Sequence, residues 1–208
     1  DSENRLLVRT INETEFDHAT RKGDAYNINT LFFSVTNSVE RPLLYLKNNE
    51  EKTLTLAAWF FATSGASSSN GIIKMFSNPS SGTIISPGTD VEAVNRLIGS
   101  SNTLDADIKR GGDGFTATGY GTEPVLYQPQ GATSRGFGSI QIAIEPGSSV
   151  VINYDPNGQE PFQIYVGFQV YLAEATNSNP KKNKSAWGTF IGWKLEKYKL
   201  IKIYDDPI

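Results

Sequence analysis

The chain has 208 residues, 38% of them hydrophobic and 20% charged, with a formal net charge of −3. These values exclude a disordered chain, and basic residues scattered through the sequence rather than gathered into a stripe argue against a nucleic-acid partner. Cysteine is absent, so neither a disulfide framework nor a thiolate zinc site is possible, and stability has to come from core burial or from assembly.

In chain order, the first thirty residues are polar apart from the cluster RLLVRTI, which holds Leu6, Leu7 and Val8 and reads as a short strand. Residues 1–30 are therefore expected to form an N-terminal arm or an edge strand. Extended segments follow at Leu31–Thr36, Leu43–Lys47, Thr53–Ala62 and Gly71–Phe76. In TLTLAAWFF, the residues Leu54, Leu56, Ala58 and Phe60 share one side of an extended chain, and Thr55, Ala57, Trp59 and Phe61 share the other. The polar knot KNNEEK between Leu43–Lys47 and Thr53–Ala62 predicts a hairpin, because Asn-Asn tolerates left-handed backbone and the charges favour solvent. The longest uncharged stretch, Thr53 to Ile73, is dotted with Ser, Thr, Gly and Asn and makes a poor membrane span.

The segment TDVEAVNRLIG, Thr89 to Gly99, has helix start and stop signals but reads equally as a strand. Strands are expected again at Phe115–Thr118, Val125–Gln128, Phe137–Glu145, Ser149–Tyr154 and Phe162–Ala173, with EPGSS predicting a second hairpin between QIAIE and VVINY. In FQIYVGFQVYLAE, Phe162, Ile164, Val166, Phe168, Val170 and Leu172 form a core stripe, and the alternate residues form a half-polar outer surface. Ala175 to Gly188 is a linker rich in Asn, Ser and Lys. Beyond it, Gly188–Trp193 and Lys197–Tyr204 predict a basic-apolar hairpin that either completes the domain or reaches a neighbouring subunit.

About a dozen short strands separated by long polar loops predict an all-β fold, an antiparallel β-sandwich with jelly-roll topology as the leading arrangement and extended terminal arms. The corresponding division is 1–30 arm or edge strand, 31–174 sandwich, and 175–208 linker plus C-terminal arm.

Catalytic patterns are sparse. His18, the single histidine, lies in EFDHATRKGD without a second imidazole, so a solvated loop histidine is the favoured reading. No nucleophile elbow and no selected carboxylate pair is present, and no enzyme activity or cofactor is expected. Asp105, Asp107 and Asp113 in LDADIKRGGDG could together offer oxygen ligands to calcium. Their spacing differs from the EF-hand loop and Lys109 and Arg110 sit among them, so a solvated loop balanced by its own cations is the competing reading. The aromatics are the better candidates. Trp59 sits in a doubly apolar run and is expected in the core. Trp187, Trp193 and Tyr198, with Leu200, Ile201 and Ile203, crowd the basic C-terminal segment and predict an interface, as do Leu6, Leu7 and Val8 at the other end. Exposed rings on a sandwich can alternatively stack on sugars.

The stretches LLYLKNNEEKTLTLAAWFF, GTDVEAVNRLIGSSNTLDADIKRGGDGF, IEPGSSVVINYDPNG and IYVGFQVYL resemble a diffuse family of virion structural proteins of tailed phages and related viruses. The likeness rests on Lys47-Asn48-Asn49 after a strand, on the loop from Asn95 to Ala106, and on the turn from Pro146 to Ser149. It covers roughly residues 30 to 173 and leaves both termini out. It implies a non-enzymatic β-sandwich on the surface of a virus particle, as a head decoration, head fibre or tail-associated protein. Its partners would be other copies of itself and other virion proteins, with surface glycans as a second class and neither nucleic acid nor membrane among them. The competing expectation is a carbohydrate-binding or adhesin-like module, extracellular or at a cell surface.

Overall fold

The computed structural model describes residues 13–35, 39–64, 72–121, 125–127, 135–156, 162–173, 190–196 and 199–204. The chain divides into two units, Asp1–Glu174 and Ala175–Ile208.

The first unit opens with a helix that the sequence reading did not anticipate, α1 at Glu15–Lys22. Thr14 caps its N-terminus by accepting the Asp17 N–H at 3.1 Å, and Gly23 ends it in the left-handed conformation at φ 77°. Glu15 and Asp17 lie in the first turn and Arg21 and Lys22 in the last, which complements the helix dipole. Among the described residues twelve strands follow in this unit: β1 (Ala25–Asn29), β2 (Phe33–Val35), β3 (Arg41–Asn48), β4 (Leu54–Ser64), β5 (Ile72–Ser77) and β6 (Thr89–Asp90). After them come β7 (Ala93–Asn95), β8 (Ala106–Arg110), β9 (Val125–Tyr127), β10 (Arg135–Ile144), β11 (Ser149–Asp155) and β12 (Phe162–Leu172).

Among the described residues, the pairings of these twelve strands are antiparallel and fall into two sheets. The first runs β10-β4-β12-β1-β7, with β2 also on β12; the second runs β6-β8-β3-β11-β5-β9. The fold is therefore all-β, as expected. Within the stretch read as an N-terminal arm or edge strand, however, β1 is an interior strand held between β12 and β7. Thr89–Gly99 supplies the two short strands β6 and β7 rather than a helix, because β8 and β1 take up its backbone hydrogen bonds. Of Phe115–Thr118 only a single bridge forms, from Thr118 to Ser81.

Both predicted hairpins are corrected. β3 belongs to the second sheet and β4 to the first; β10 belongs to the first and β11 to the second. The knots KNNEEK and EPGSS thus carry the chain between sheets, and one residue ties the two crossings together. Asn48 is fully buried, and its amide Nδ2 donates to the Lys52 carbonyl at 2.8 Å and to the Ile144 carbonyl at 2.9 Å. Its Oδ1 accepts the Glu50 N–H at 3.0 Å, its own N–H donates to Ser148, and its carbonyl accepts from Gly147. A buried amide is stable only when its donors and acceptors are met, and this one is met from both turns.

One buried cluster draws side chains from both sheets, among them Ile28, Leu56 and Phe168 from the first and Leu44, Leu46 and Ile152 from the second. The core stripe read in β12 is observed at Ile164, Val166, Phe168, Val170 and Leu172. In β4 the simple alternation fails. Leu54 and Leu56 point inward as expected, but the pairing jumps from Leu56↔Val170 to Ala58↔Gln169. The extra residue, Ala57, makes a bulge that exchanges the two faces of the strand, so Trp59 and Phe61 enter the core while Phe60 turns outward. Smaller clusters cover parts of the outer surfaces: Phe16 and Ala19 of α1 pack near Tyr171, and Ile84, Phe115 and Ala117 from loops pack near Tyr45 and Val151.

The second unit contains β13 (Phe190–Glu196) and β14 (Lys199–Tyr204), an antiparallel pair in which Trp193 lies opposite Lys202 and Leu195 opposite Leu200. The predicted pair of strands is present: β13 lies two to three residues later than the expected Gly188–Trp193, and β14 starts two residues later than the expected Lys197–Tyr204 and ends with it.

Candidate functional site

Strands β1, β4 and β12 lie side by side, and none of their residues is Asp, Glu, Lys or Arg. Their inward residues fill the core. The outward ones, alternating with them, include Asn27, Phe60, Gln163, Tyr165 and Gln169, and Gln163 is exposed. These three strands themselves offer only amides, aromatics, hydroxyls and small residues outward, and charge reaches them from neighbouring elements at one end, where Arg96 donates to Asn27 at 3.0 Å and Glu15 of α1 accepts from Tyr171 at 3.1 Å.

The aromatic part of this surface is a constructed feature. The Phe60 ring lies across Gly167: a Cβ on that glycine would stand 2.4 Å from the ring. Phe60 and Tyr165 stack with centroids 6.3 Å apart and planes 23° from parallel, and Phe32 leans on Tyr165 at 5.6 Å. Burial raises the Tyr165 phenol above the usual tyrosine pKa, so it stays neutral. Phe32 is held out at the surface, 50% exposed, by the turn before it. There Leu31 adopts a left-handed φ of 57°, a strained choice for a residue with a large side chain. Two neighbours hold it. The Asn29 Oδ1 accepts the Leu31 N–H at 2.8 Å, and buried Thr30 binds β12 through its hydroxyl, which accepts the Val166 N–H at 3.0 Å.

The second sheet presents the opposite chemistry. Lys74 Nζ donates to Glu40 at 2.7 Å and to Asp155 at 3.0 Å, and Asn153, 1% exposed, donates its amide to Glu40 at 2.7 Å and to the Tyr120 hydroxyl at 2.8 Å. Tyr120 stacks on Phe76 at 4.3 Å. The hydrogen bond to Glu40, more than the one to Asp155, raises the Lys74 pKa against an opposing desolvation. Burial, with a smaller contribution from Asp155, pushes Tyr154 up to about 12. One cation is shared by two carboxylates in this network, and its bonds make a structural clamp joining β5, β11 and two loops.

The residues singled out in the sequence are distributed widely. His18 sits on α1 rather than in a loop, 3.6 Å from Glu13, and Asp17 beside it serves the helix cap. Asp105 precedes β8 and its N–H donates to Glu50; Asp107 pairs with Lys47 on β3; Asp113 follows the Gly111–Gly112 turn. Among the described residues no group of three or more His, Cys, Asp or Glu side chains is placed to hold a metal. Trp59 is core, 6% exposed. Trp193, Leu200, Ile201 and Ile203 lie on the β13–β14 pair, whereas Leu6, Leu7, Val8, Trp187 and Tyr198 lie outside the described residues. Among the described residues, no helix is long and apolar enough to cross a membrane.

The aromatic platform was missed because the sequence reading grouped Phe60 with Leu54, Leu56 and Ala58 without assigning that side to core or surface, and did not weigh Phe32. The usable signal was the absence of charge from the two long segments that form β4 and β12. No family model matches this chain, and no curated protein is significantly similar to it.

Proposed function

We propose that the chain is a non-enzymatic structural component of a virus particle: a capsid decoration, fibre or tail-associated protein. In this reading a jelly-roll sandwich is the building unit, and the terminal segments clasp neighbouring copies or other virion proteins at the particle surface. The observation that carries the reading is the strand order. Four strands run β10-β4-β12-β1 and four run β3-β11-β5-β9, and among these eight the chain crosses between the sets at β1–β3, β3–β4, β4–β5, β9–β10, β10–β11 and β11–β12. Two Greek keys wound together produce this order, and capsid and lectin domains both use it. Fold alone does not choose between them.

Two further features favour the particle. The turns Lys47-Asn48-Asn49 and Pro146–Ser149, on which the resemblance to virion proteins rests, are the two crossings that Asn48 ties together, so the likeness falls on residues that organise the fold. The C-terminal segment forms a separate unit whose pair of strands carries Trp193, Leu200, Ile201 and Ile203. A two-stranded hairpin is marginal alone in water and gains stability from a partner surface.

Light scattering after size exclusion, on the full chain and on a chain ending at Glu174, tests the clasp. The full chain is expected to form a defined oligomer that the shortened chain loses. Monomers in both cases at high concentration contradict it.

A further inference from the structure

We propose that the outward surface of the first sheet binds a neutral glycan, with Phe32, Tyr165 and Phe60 stacking on a pyranose ring and Gln163, two residues from Tyr165 on the same strand, bonding its hydroxyls. The chemistry of the surface selects the class of ligand. A sugar ring has an apolar C–H face and a rim of hydroxyls that both donate and accept. Aromatic rings match the first, and carboxamides, which also donate and accept, match the second. Because β1, β4 and β12 contain no charged residue, an anionic or cationic ligand would find no counter-charge on these strands, whereas an uncharged one loses nothing.

The surface is also organised in advance. The left-handed backbone at Leu31 costs free energy, and Asn29 and Thr30 hold it in place, with the effect that Phe32 stands beside Tyr165. Gly167 leaves the space in which the Phe60 ring lies flat. Rings fixed before binding lose little freedom when a ligand arrives.

A second copy of the chain fits this surface less well. Among the described residues, the strongly exposed apolar side chains on or beside the strands of the first sheet are Leu31 and Phe32 next to the platform and Val94 opposite Asn27 at the other edge. A stable protein interface buries roughly 800 Å² on each partner around an apolar centre, which these separated side chains do not provide. One or two sugar rings need no more. This inference stands apart from the virion reading: a glycan could be bound by a monomer or by an assembled particle.

The test is an array of neutral glucose-, galactose- and mannose-containing oligosaccharides, with sialylated and sulfated sets as charged controls. The strongest neutral hit is then titrated by calorimetry against Phe32→Ala, Tyr165→Ala and Ile98→Ser, the last removing a more fully exposed apolar residue outside the platform. Neutral hits are expected, weakened at least tenfold by Phe32→Ala and Tyr165→Ala and unchanged by Ile98→Ser. Phe32 is half-exposed, so its variant keeps the wild-type melting temperature and loss of binding cannot be ascribed to unfolding. The proposal is overturned by an absence of neutral hits, by hits confined to charged glycans, or by affinity that survives Phe32→Ala. It is overturned also if Phe32→Ala abolishes self-association of a protein that binds no glycan, which would give the surface to a second copy.

Discussion

The two sheets share one buried core, yet their outer surfaces are built by different means. Across β1, β4 and β12 the first sheet excludes charge and arranges rings and amides over Gly167. Across β3, β8, β5 and β11 the second sheet carries Arg41, Lys47, Lys74, Asp107, Lys109, Arg110 and Asp155, and Lys74 bridges Asp155 and Glu40 in a network that Asn153 and Tyr120 complete. Polar groups tied to one another in this way have less left to offer a ligand. A surface whose amides and rings remain partly exposed, on a backbone strained to present them, is the one with binding capacity to spare. The comparison separates a structural wall from a recognition surface within one domain.

The comparison can be broken hardest where the two sheets exchange chain. Asn48→Ala removes two donated bonds and one accepted bond at a fully buried position, and leaves the Lys52 and Ile144 carbonyls without that partner. It is expected to cost about 2–4 kcal/mol in urea unfolding, the scale of losing more than one buried hydrogen bond. A cost within error of zero would mean that the two crossings are not joined through this residue. Gly167→Val comes next. Its side chain would collide with the Phe60 ring, so a loss of about 1–3 kcal/mol is expected together with loss of any glycan binding.

On the second sheet the expected effects are smaller and electrostatic. Lys74→Met removes the cation shared by Glu40 and Asp155 and is expected to cost about 1 kcal/mol at low salt, with the difference from wild type shrinking in about 1 M NaCl. The pH dependence follows from the same groups. The folded-state pKa of Lys74 is raised, so its contribution is fully present below the ordinary lysine value of 10.5 and is lost as pH rises through the folded value. Tyr154, neutral in the fold and pushed up to about 12, likewise favours the folded state less as pH climbs above 10. Stability is therefore expected to be flat on the acid side of pH 10 with respect to these groups and to fall above it, less steeply in Tyr154→Phe. The same fall in the variant as in wild type would remove Tyr154 from the account. The smallest effect on stability belongs to Phe32→Ala, within about 0.5 kcal/mol because the ring is half-exposed, although it carries the largest expected effect on glycan affinity.

Sequence pattern made the strands legible wherever one face was buried along the whole length. The stripe from Ile164 to Leu172 needed only alternation, and the core contains it. The same rule failed midway through β4, because the bulge at Ala57 depends on how β12 and β10 pair with the strand and leaves no local mark. Turn chemistry behaved similarly. KNNEEK and EPGSS do reverse the chain, but which sheet receives the next strand is decided by distant partners, so both were misread as hairpins. β1 and β8 were overlooked because AYNIN and ADIKR contain Asn, Asp and Lys, which disfavour strands in isolation and are tolerated here by pairing on both sides. α1 carried readable caps in Thr14 and Gly23 that the low apolar content of EFDHATRK obscured. As for the candidate site, the uncharged strands β4 and β12 were visible in the sequence, whereas β1 was not. The position of Phe32 was not, since it rests on a left-handed backbone at Leu31.

The most direct test of the virion reading is electron microscopy of the native source with a gold-labelled antibody against residues 13–173. Regular labelling on the surface of discrete particles is the predicted result, and label confined to cell surfaces or to soluble material with no particle present would contradict it.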